Sequence, residues 1–226
     1  MIKPNLKNKK CIAENIIEED KEIHENVIQM IDETIWSMLN LKHLLAENKS
    51  ICKACNIIAN ASRKKSIVIT TGMGKAGHIA QKASSSFSSL GIPSFYIHPG
   101  ESAHGDIGVV REGDVLLVFS TSGKTREVIE TVDFTRKLNI GNIIAITSHP
   151  DSVIRKKADI TIDMGIIKES GYLHTAPTTS IVVMLVIADI IATNAARINK
   201  FTVEDFHIRH HGGYLGEKSK KEIKND

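Results

Sequence analysis

DVLLVFSTSGKTRE, residues 114–127, joins a short apolar run to a turn rich in hydroxyl groups. The run Val115–Phe119 is continuous and contains branched side chains, which is typical of a strand buried on both faces of a parallel sheet. A helical periodicity begins after the turn, with apolar residues at Val128, Ile129, Val132 and Leu138. The segment therefore predicts a strand–turn–helix unit, the repeating element of α/β proteins.

The turn between this strand and this helix has two interpretations. Its four hydroxyl side chains belong to Ser120, Thr121, Ser122 and Thr125. Unpaired N–H groups at a helix N-terminus attract anions, and hydroxyl groups add hydrogen-bond donors, so the turn is a candidate phosphate site. The other interpretation is an ordinary helix cap made by Ser122 or Thr125. A cap needs one hydroxyl, and the presence of four favours the phosphate site.

A second turn, Gly72-Met73-Gly74-Lys75-Ala76-Gly77, lies between a strand predicted at Ser66–Thr71 and a helix predicted at His78–Leu90. Its glycines match the G-x-G-x-x-G pattern of dinucleotide-binding proteins. That pattern also needs an acidic residue at the end of the next strand, but the strand Ser94–His98 ends in a histidine. Two alternatives remain: Gly74 and Lys75 approach a sugar phosphate, or Lys75 is an ordinary solvated lysine.

Strands and helices alternate along the middle of the chain, with further strands predicted at Asn142–Thr147 and Ile160–Met164. This order implies right-handed crossovers and a doubly wound, five-stranded parallel sheet inside a three-layer αβα sandwich. The first and third strands are neighbours if the strand order is the flavodoxin-like 2-1-3-4-5, the order that the family resemblance described below also implies. Both polar turns then lie at the switch point, where open α/β sheets bind ligands.

The whole chain of 226 residues is expected to form one domain, residues 1–226. A stretch without glycine or proline, about residues 11–61, predicts a helical arm of one long helix or two in succession. The sheet core then spans about residues 66–164. Helices and a tail with candidate site residues span about 177–216, and Pro177 with its neighbouring hydroxyls signals the start of an apolar, buried helix at Ile181–Ala196.

Composition argues against several classes of protein. The formal net charge of +3 is too small to predict a nucleic-acid partner. The polar N-terminus does not resemble a signal peptide. The longest apolar run, Ile181–Ile191, contains Asp189 and is too short to span a membrane. We therefore expect a cytoplasmic protein with neither a nucleic-acid nor a membrane partner.

Cysteine and histidine spacing does not predict a metal site. Three cysteines do not make a disulfide framework, and the lone pair Cys52 and Cys55 lacks the four ligands of a structural zinc site. We interpret both as buried thiols in a helix. The adjacent His210 and His211 point in different directions and have no carboxylate at ligand spacing. His104, in the polar loop 99–108, is a candidate group that titrates near neutral pH.

Five motifs, taken together, resemble one family. They are TGMGKAGHIA, HPGESAHGDIG, STSGKTREV, APTTS and FTVEDFHIRHHGGYLG, and their order and spacing are similar to those of arabinose 5-phosphate isomerases, from about Glu14 to Gly216. The resemblance implies a sugar isomerase (SIS) domain, usually assembled as a homotetramer. It also implies interconversion of D-ribulose 5-phosphate and D-arabinose 5-phosphate, without a cofactor, for the synthesis of Kdo in lipopolysaccharide or capsule.

The same resemblance implies roles for particular residues. Family positions with proposed catalytic roles match Lys75 in the glycine turn and His104, Glu127, Glu169 and His210. Phosphate contacts in the family fall on Ser120, Ser122 and Thr125. Aldose–ketose isomerisation moves a proton between C1 and C2 through an enediol, and we expect Glu169 to be the base, His210 to assist it, and Glu127 to be the alternative base.

Four departures separate the chain from the usual family pattern. Lys124 replaces the glutamate of a Ser-Asn-Ser-Gly-Glu loop, and residues 168–174 read KESGYLH where the family often has Lys-Glu-Ala-Cys-Pro-Leu-Gly. His211 replaces the proline after the last histidine. The chain also stops where family members commonly continue into paired CBS domains. Two other functions stay open: a sugar-phosphate-binding regulator without catalysis, and an isomerase of a hexulose or heptulose phosphate.

Overall fold

The computed structural model describes the backbone of residues 6–223 and the side chains of residues 20–223. The strands are β1 (Val68–Gly72), β2 (Ser94–Ile97), β3 (Val115–Phe119), β4 (Asn142–Thr147) and β5 (Ile160–Asp163). The helices are α1 (Leu6–Glu47), α2 (Ser50–Arg63), α3 (Gly74–Ser89), α4 (Pro99–Ser102), α5 (Arg126–Lys137), α6 (Val153–Lys157), α7 (Thr179–Ile198), α8 (Val203–Arg209) and α9 (Gly213–Ile223), with a short 3-10 turn at Asp106–Val109.

The five strands form one parallel sheet in the order β2-β1-β3-β4-β5. Val115 at the start of β3 is in register with Val68 of β1 on one side and with Asn142 of β4 on the other. The predicted strand order is therefore confirmed. Because β1 and β3 are neighbours, the glycine turn and the serine turn leave the same edge of the sheet side by side.

Alternate side chains of β3 divide the core into two layers. Val115, Leu117 and Phe119 pack with buried residues of α2, α3 and α7. Leu116 and Val118 pack on the opposite face, with buried residues of α5 and α6. The strand is thus buried on both faces, as its continuous apolar sequence predicts, and the three-layer αβα arrangement is confirmed.

The glycine pattern after β1 has a packing function. A Cβ atom on Gly77 would lie 2.5 Å from the carbonyl oxygen of Gly72 and 2.9 Å from the hydroxyl oxygen of Tyr96. Only glycine therefore allows α3 to pack this closely against β1. Gly74 has a φ of +59°, which turns the chain from an extended Met73 directly into the helix.

The helix after β1 differs from its prediction, and the N-terminal arm adopts one of its two predicted forms. The helix after β1 begins at Gly74 and not at His78, because the positive φ of Gly74 starts it at once, and Lys75 therefore lies in the first helical turn. The N-terminal arm is two helices in succession, α1 and α2, separated at Asn48 and Lys49.

The apolar helix α7 packs in the core against α2 and α3, as expected from its sequence. The run Ile181–Ile191, predicted to be too short to span a membrane, belongs to a longer helix of 20 residues. Among the residues that the structure describes, α7 is the one helix whose length and composition would suffice to cross a membrane. Buried residues such as Val183, Ile187 and Ile191 account for its apolar character.

The prediction that Cys52 and Cys55 are both buried is confirmed for Cys55 and wrong for Cys52. Cys55 is buried in the stripe that α2 turns to the core, together with Ala54, Ile58 and Ala59, whereas Cys52 lies outside this stripe and is exposed. Burial, with a smaller effect of Cys52, raises the pKa of the Cys55 thiol to about 11. Cys11 lies outside the residues whose side chains are described.

Candidate functional site

A cavity of about 240 Å³ opens at the carboxyl edge of the sheet, where β1 and β3 end. Its walls come from the glycine turn, the serine turn, the loop after β4 and the start of α7. The lining residues are Met73, Lys75, Ala76, Phe119, Ser120, Thr121, Ser122, Thr125, His149, Pro177 and Ile181. The structure therefore brings together Lys75 and the four hydroxyl residues predicted to bind phosphate. Gly74 does not line the cavity but sets the direction of α3 beside it.

The N-terminus of α5 is open toward this cavity. Thr125 occupies the N-cap position with an extended backbone, yet its side chain makes no capping hydrogen bond to the described residues. Within the turn, Ser120 Oγ accepts from Gly123 N at 3.1 Å and Ser122 Oγ accepts from Lys124 N at 3.2 Å. The side chain of Thr125 thus does not form the ordinary helix cap considered as the alternative. The first N–H groups of α5 have no intrahelical partner and attract an anion.

Helix α3 presents a second N-terminus with the same property. Met73, at its N-cap position, makes no side-chain capping bond to the described residues. Lys75 follows in the first turn, where a cation is disfavoured by the helix dipole. Two uncapped helix ends and an ammonium group therefore meet around one cavity. Such an accumulation of positive potential is unfavourable in an empty site and favourable when an anion is bound.

The serine turn is held rigidly against the end of β4. Thr121 O accepts from Ser148 N at 3.0 Å and from the Thr147 hydroxyl at 3.2 Å. Gly123 has a φ of +60°, and a Cβ atom there would lie 1.7 Å from Ser152 Oγ. The turn can hold this shape only with glycine at position 123. The hydroxyls are thus positioned before any ligand arrives, which lowers the cost of binding.

Glu169 lies in the irregular segment after β5 and caps the start of α7. Its Oε2 accepts from Thr178 N at 2.8 Å, from Ser180 N at 3.0 Å and from the Thr178 hydroxyl at 3.3 Å. Thr178 itself, at the N-cap position, makes no side-chain cap within the described part of the chain. A carboxylate therefore neutralises the end of α7, in contrast to the open ends of α3 and α5.

The other candidate catalytic residues lie outside the cavity. Glu127 is in the first turn of α5, partly buried, and His104 is exposed before the 3-10 turn. His210 ends α8, where its ring stacks on Phe206 at 3.8 Å between centroids and its Nδ1 lies 3.0 Å from Phe206 O. Neither these three residues nor Glu169 line the cavity of this chain.

Sequence reasoning missed His149, which lines the cavity. The sequence could have indicated His149 as a site residue. It follows β4 by two residues and therefore lies at the same carboxyl edge of the sheet as both turns. The sequence gives less indication that Pro177 and Ile181 line the cavity, because only the folded structure brings the start of α7 to this edge.

A larger cavity of about 550 Å³ lies between α1 and the loop of residues 170–178. Its lining is mainly apolar and includes Ile23, Met30, Tyr172 and Leu173. It contains neither the serine turn nor Lys75, so the smaller cavity is the candidate anion site. Among the residues that the structure describes, no group of three His, Cys, Asp or Glu side chains is arranged to hold a metal ion.

The parallel sheet and the polar cavity at its carboxyl edge define an open α/β protein with a candidate anion site, and comparison with known proteins gives its family. The SIS domain family matches residues 61–194, more than half of the chain, and the protein belongs to it. Within that family the chain is similar to arabinose 5-phosphate isomerases. It is 38% identical over 200 residues to arabinose 5-phosphate isomerase KdsD of Francisella tularensis, a match that covers 88% of this chain and 60% of the relative.

Two crystal structures extend the comparison. A Bacteroides fragilis protein, provisionally described as a phosphosugar isomerase involved in capsule formation, is 39% identical with a TM-score of 0.80, covering 85% of this chain and 99% of the other. A protein of Escherichia coli CFT073, solved in complex with arabinose 5-phosphate, is 28% identical with a TM-score of 0.71, covering 82% and 98%. The chain spans 60% of the Francisella relative and about half of other curated relatives it matches.

Proposed function

We propose that the protein is a cytoplasmic sugar-phosphate isomerase that interconverts D-arabinose 5-phosphate and D-ribulose 5-phosphate, for Kdo in lipopolysaccharide or capsule. The observation that carries the proposal is the meeting of two uncapped helix N-termini with Lys75 and four hydroxyl residues around one cavity. This arrangement suits a phosphate monoester. The similarity to arabinose 5-phosphate isomerases supplies the reaction.

In the proposed mechanism the phosphate binds at the serine turn and fixes the position of the sugar. Glu169 removes a proton from C1 of the ketose, and the electron pair of that C–H bond forms the C1–C2 double bond of an enediolate. The proton of the C1 hydroxyl then moves to the oxygen at C2, so that the negative charge lies on the oxygen at C1. As the carbonyl forms at C1, the electron pair of the double bond takes back the proton from Glu169 at C2, which gives the aldose. Lys75 stabilises the negative oxygen. His210 and His104 exchange protons with the sugar oxygens.

The chain also presents a surface suited to the homotetramer, or dimer, that the resemblance implies. Over the part of α1 whose side chains are described, from residue 20 to residue 47, apolar side chains are exposed, with Ile23 60% and Trp36 63% exposed. A second copy of the chain would cover this face. Four candidate catalytic residues lie outside the cavity of their own chain: Glu169, Glu127, His104 and His210. In the proposed assembly, such residues can approach the cavity of a neighbouring copy.

One alternative function is a regulator that binds sugar phosphates without converting them. Another is an isomerase of a different sugar phosphate, because Lys124 and residues 170–174 depart from the family pattern. A panel of pentose, hexose and heptose phosphates, assayed for aldose–ketose conversion by the purified protein, decides among these. Conversion of the pentose pair supports the proposal. Binding of a sugar phosphate without conversion of any member would favour the regulator.

Replacing Ser122 with alanine should weaken the binding of D-arabinose 5-phosphate about tenfold, because a charge-assisted hydrogen bond to the phosphate is lost. Ser122 is the best probe of the turn, since Ser120 is buried and supports Gly123. Isothermal calorimetry measures the effect. Ser85→Ala, at an exposed site on α3, is the matched control and should bind like the wild type. Unchanged affinity of Ser122→Ala would remove Ser122 from the phosphate site.

Activity should survive exhaustive treatment with a chelator, because enediol chemistry runs on acids and bases. Steady-state rates before and after treatment, with the metal content measured by mass spectrometry, check this expectation. Loss of activity that one divalent ion restores would contradict the proposed mechanism.

A further inference from the structure

We propose that His149 is a phosphate-binding residue, which completes the anion site in its charged imidazolium form. The proposal rests on the proposed function, because it takes the anion to be the phosphate group of a sugar. His149 lines the cavity together with Lys75 and the serine turn. It lies in the loop after β4, whereas Lys75 lies at the start of α3.

The main chain of His149 is fixed while its ring is available. His149 N donates to Thr121 O at 3.4 Å, and His149 O accepts from Ser152 N at 3.2 Å and from Arg155 Nε at 3.3 Å. The residue is therefore tied both to the serine turn and to α6. Other histidine rings are engaged by oxygen atoms, as at His174 (2.9 Å) and His207 (2.8 Å). The His149 ring has no such bond to any residue that the structure describes.

The carboxylates near His149 are engaged elsewhere. Among residues 20–223, no Asp or Glu lines the cavity. The nearby carboxylates are already paired, Asp151 with Lys124 at 2.6 Å and Asp163 with Arg155 at 2.9 Å. The hydrogen bond from Lys124 holds the pKa of Asp151 below its usual range, with a smaller contribution from His149. A bound phosphate would supply the counter-charge for the imidazolium.

This role makes binding depend on pH in a specific direction. A phosphate monoester is a dianion above about pH 6. A dianion beside an imidazole favours the charged form of that ring. The contribution of an imidazolium to the affinity is therefore greatest at low pH and is lost as the pH rises. The facing cations, Lys75 on α3, Arg155 on α6 and Lys124, are of types that stay charged up to about pH 9.

Calorimetric titration with D-arabinose 5-phosphate and with inorganic phosphate, at intervals from about pH 7 to about pH 9, tests the inference. Between these limits the wild-type Kd should rise about tenfold, the size of one charge-assisted hydrogen bond. His149→Asn should bind about tenfold more weakly at the lower pH and show little further change. His149→Arg, which stays charged, should keep its affinity at the higher pH. His43→Asn, on an exposed position of α1, should follow the wild type.

The outcomes separate the two proposals. If His149→Asn has the affinity and the pH slope of the wild type, His149 does not bind the phosphate, and the site consists of Lys75 and the turns alone. If the wild type binds neither probe at any pH, the proposed function itself fails.

Discussion

Replacing Glu169 with glutamine should lower the rate of isomerisation about a hundredfold or more while leaving the protein folded. General base catalysis typically contributes this much. Glutamine keeps an oxygen that can accept from the N–H groups of Thr178 and Ser180, so the cap of α7 survives in part. It cannot accept a proton from carbon. Steady-state rates and thermal melting of the same preparation measure the two effects separately.

Glu169→Ala is the companion variant, because it removes the base and the cap together. The loss of a helix cap costs about 1 kcal/mol, and the loss of a negative charge beside the helix N-terminus adds a few tenths to about 1 kcal/mol. We therefore expect both variants to lose about a hundredfold or more in rate. The alanine variant, which loses the cap as well as the charge, should melt earlier than the glutamine variant. A glutamine variant with wild-type activity would show that Glu169 is only the cap of α7.

Hydrogen exchange identifies the step that is lost. In heavy water the wild type should introduce deuterium at C1 of ribulose 5-phosphate, observed by NMR, and Glu169→Gln should not. Exchange at the wild-type rate in the variant would make Glu127, in the first turn of α5, the candidate base. Binding without exchange in the wild type would favour the regulator over the enzyme.

The sequence was most informative where structure is local. The strand β3, the serine turn and α5 follow one another within residues 114–137, so apolar continuity and helical periodicity suffice to predict them. The alternation of strands and helices predicts a parallel, doubly wound sheet, and the order β2-β1-β3-β4-β5 brings the two polar turns to one edge. Lys75 and the four hydroxyl residues could therefore be assigned to one cavity before its geometry was known.

Long-range contacts were harder to predict. The bonds from the start of α7 to Glu169 join residues nine to eleven apart through an irregular loop, and no periodic pattern reports them. The direction of His149 depends on main-chain bonds to the serine turn and to Arg155. The early start of α3 depends on the positive φ of Gly74, which the glycine permits but does not dictate.

Lys75 should have the other large effect. Its side chain lies in the first turn of α3 and lines the cavity, where the ammonium group can stabilise the developing enediolate and the bound phosphate. Removing one preorganised electrostatic group of this kind typically costs about 100- to 1,000-fold in rate. We therefore expect Lys75→Met to lose at least about a hundredfold in kcat/KM. Lys75→Arg, which keeps the charge, should recover part of that loss.

The same change should not destabilise the fold, and this separates a functional lysine from a structural one. A cation near a helix N-terminus opposes the helix dipole by about 0.3–1 kcal/mol, so its removal should leave the melting temperature unchanged or slightly higher. Lys82→Met is the matched control, because Lys82 lies on the same helix but pairs with Asp189 of α7. It should keep full activity and melt no later than the wild type. Wild-type rates in Lys75→Met, measured at saturating and at low substrate, would show that Lys75 is a solvated surface lysine and that the anion site lies elsewhere.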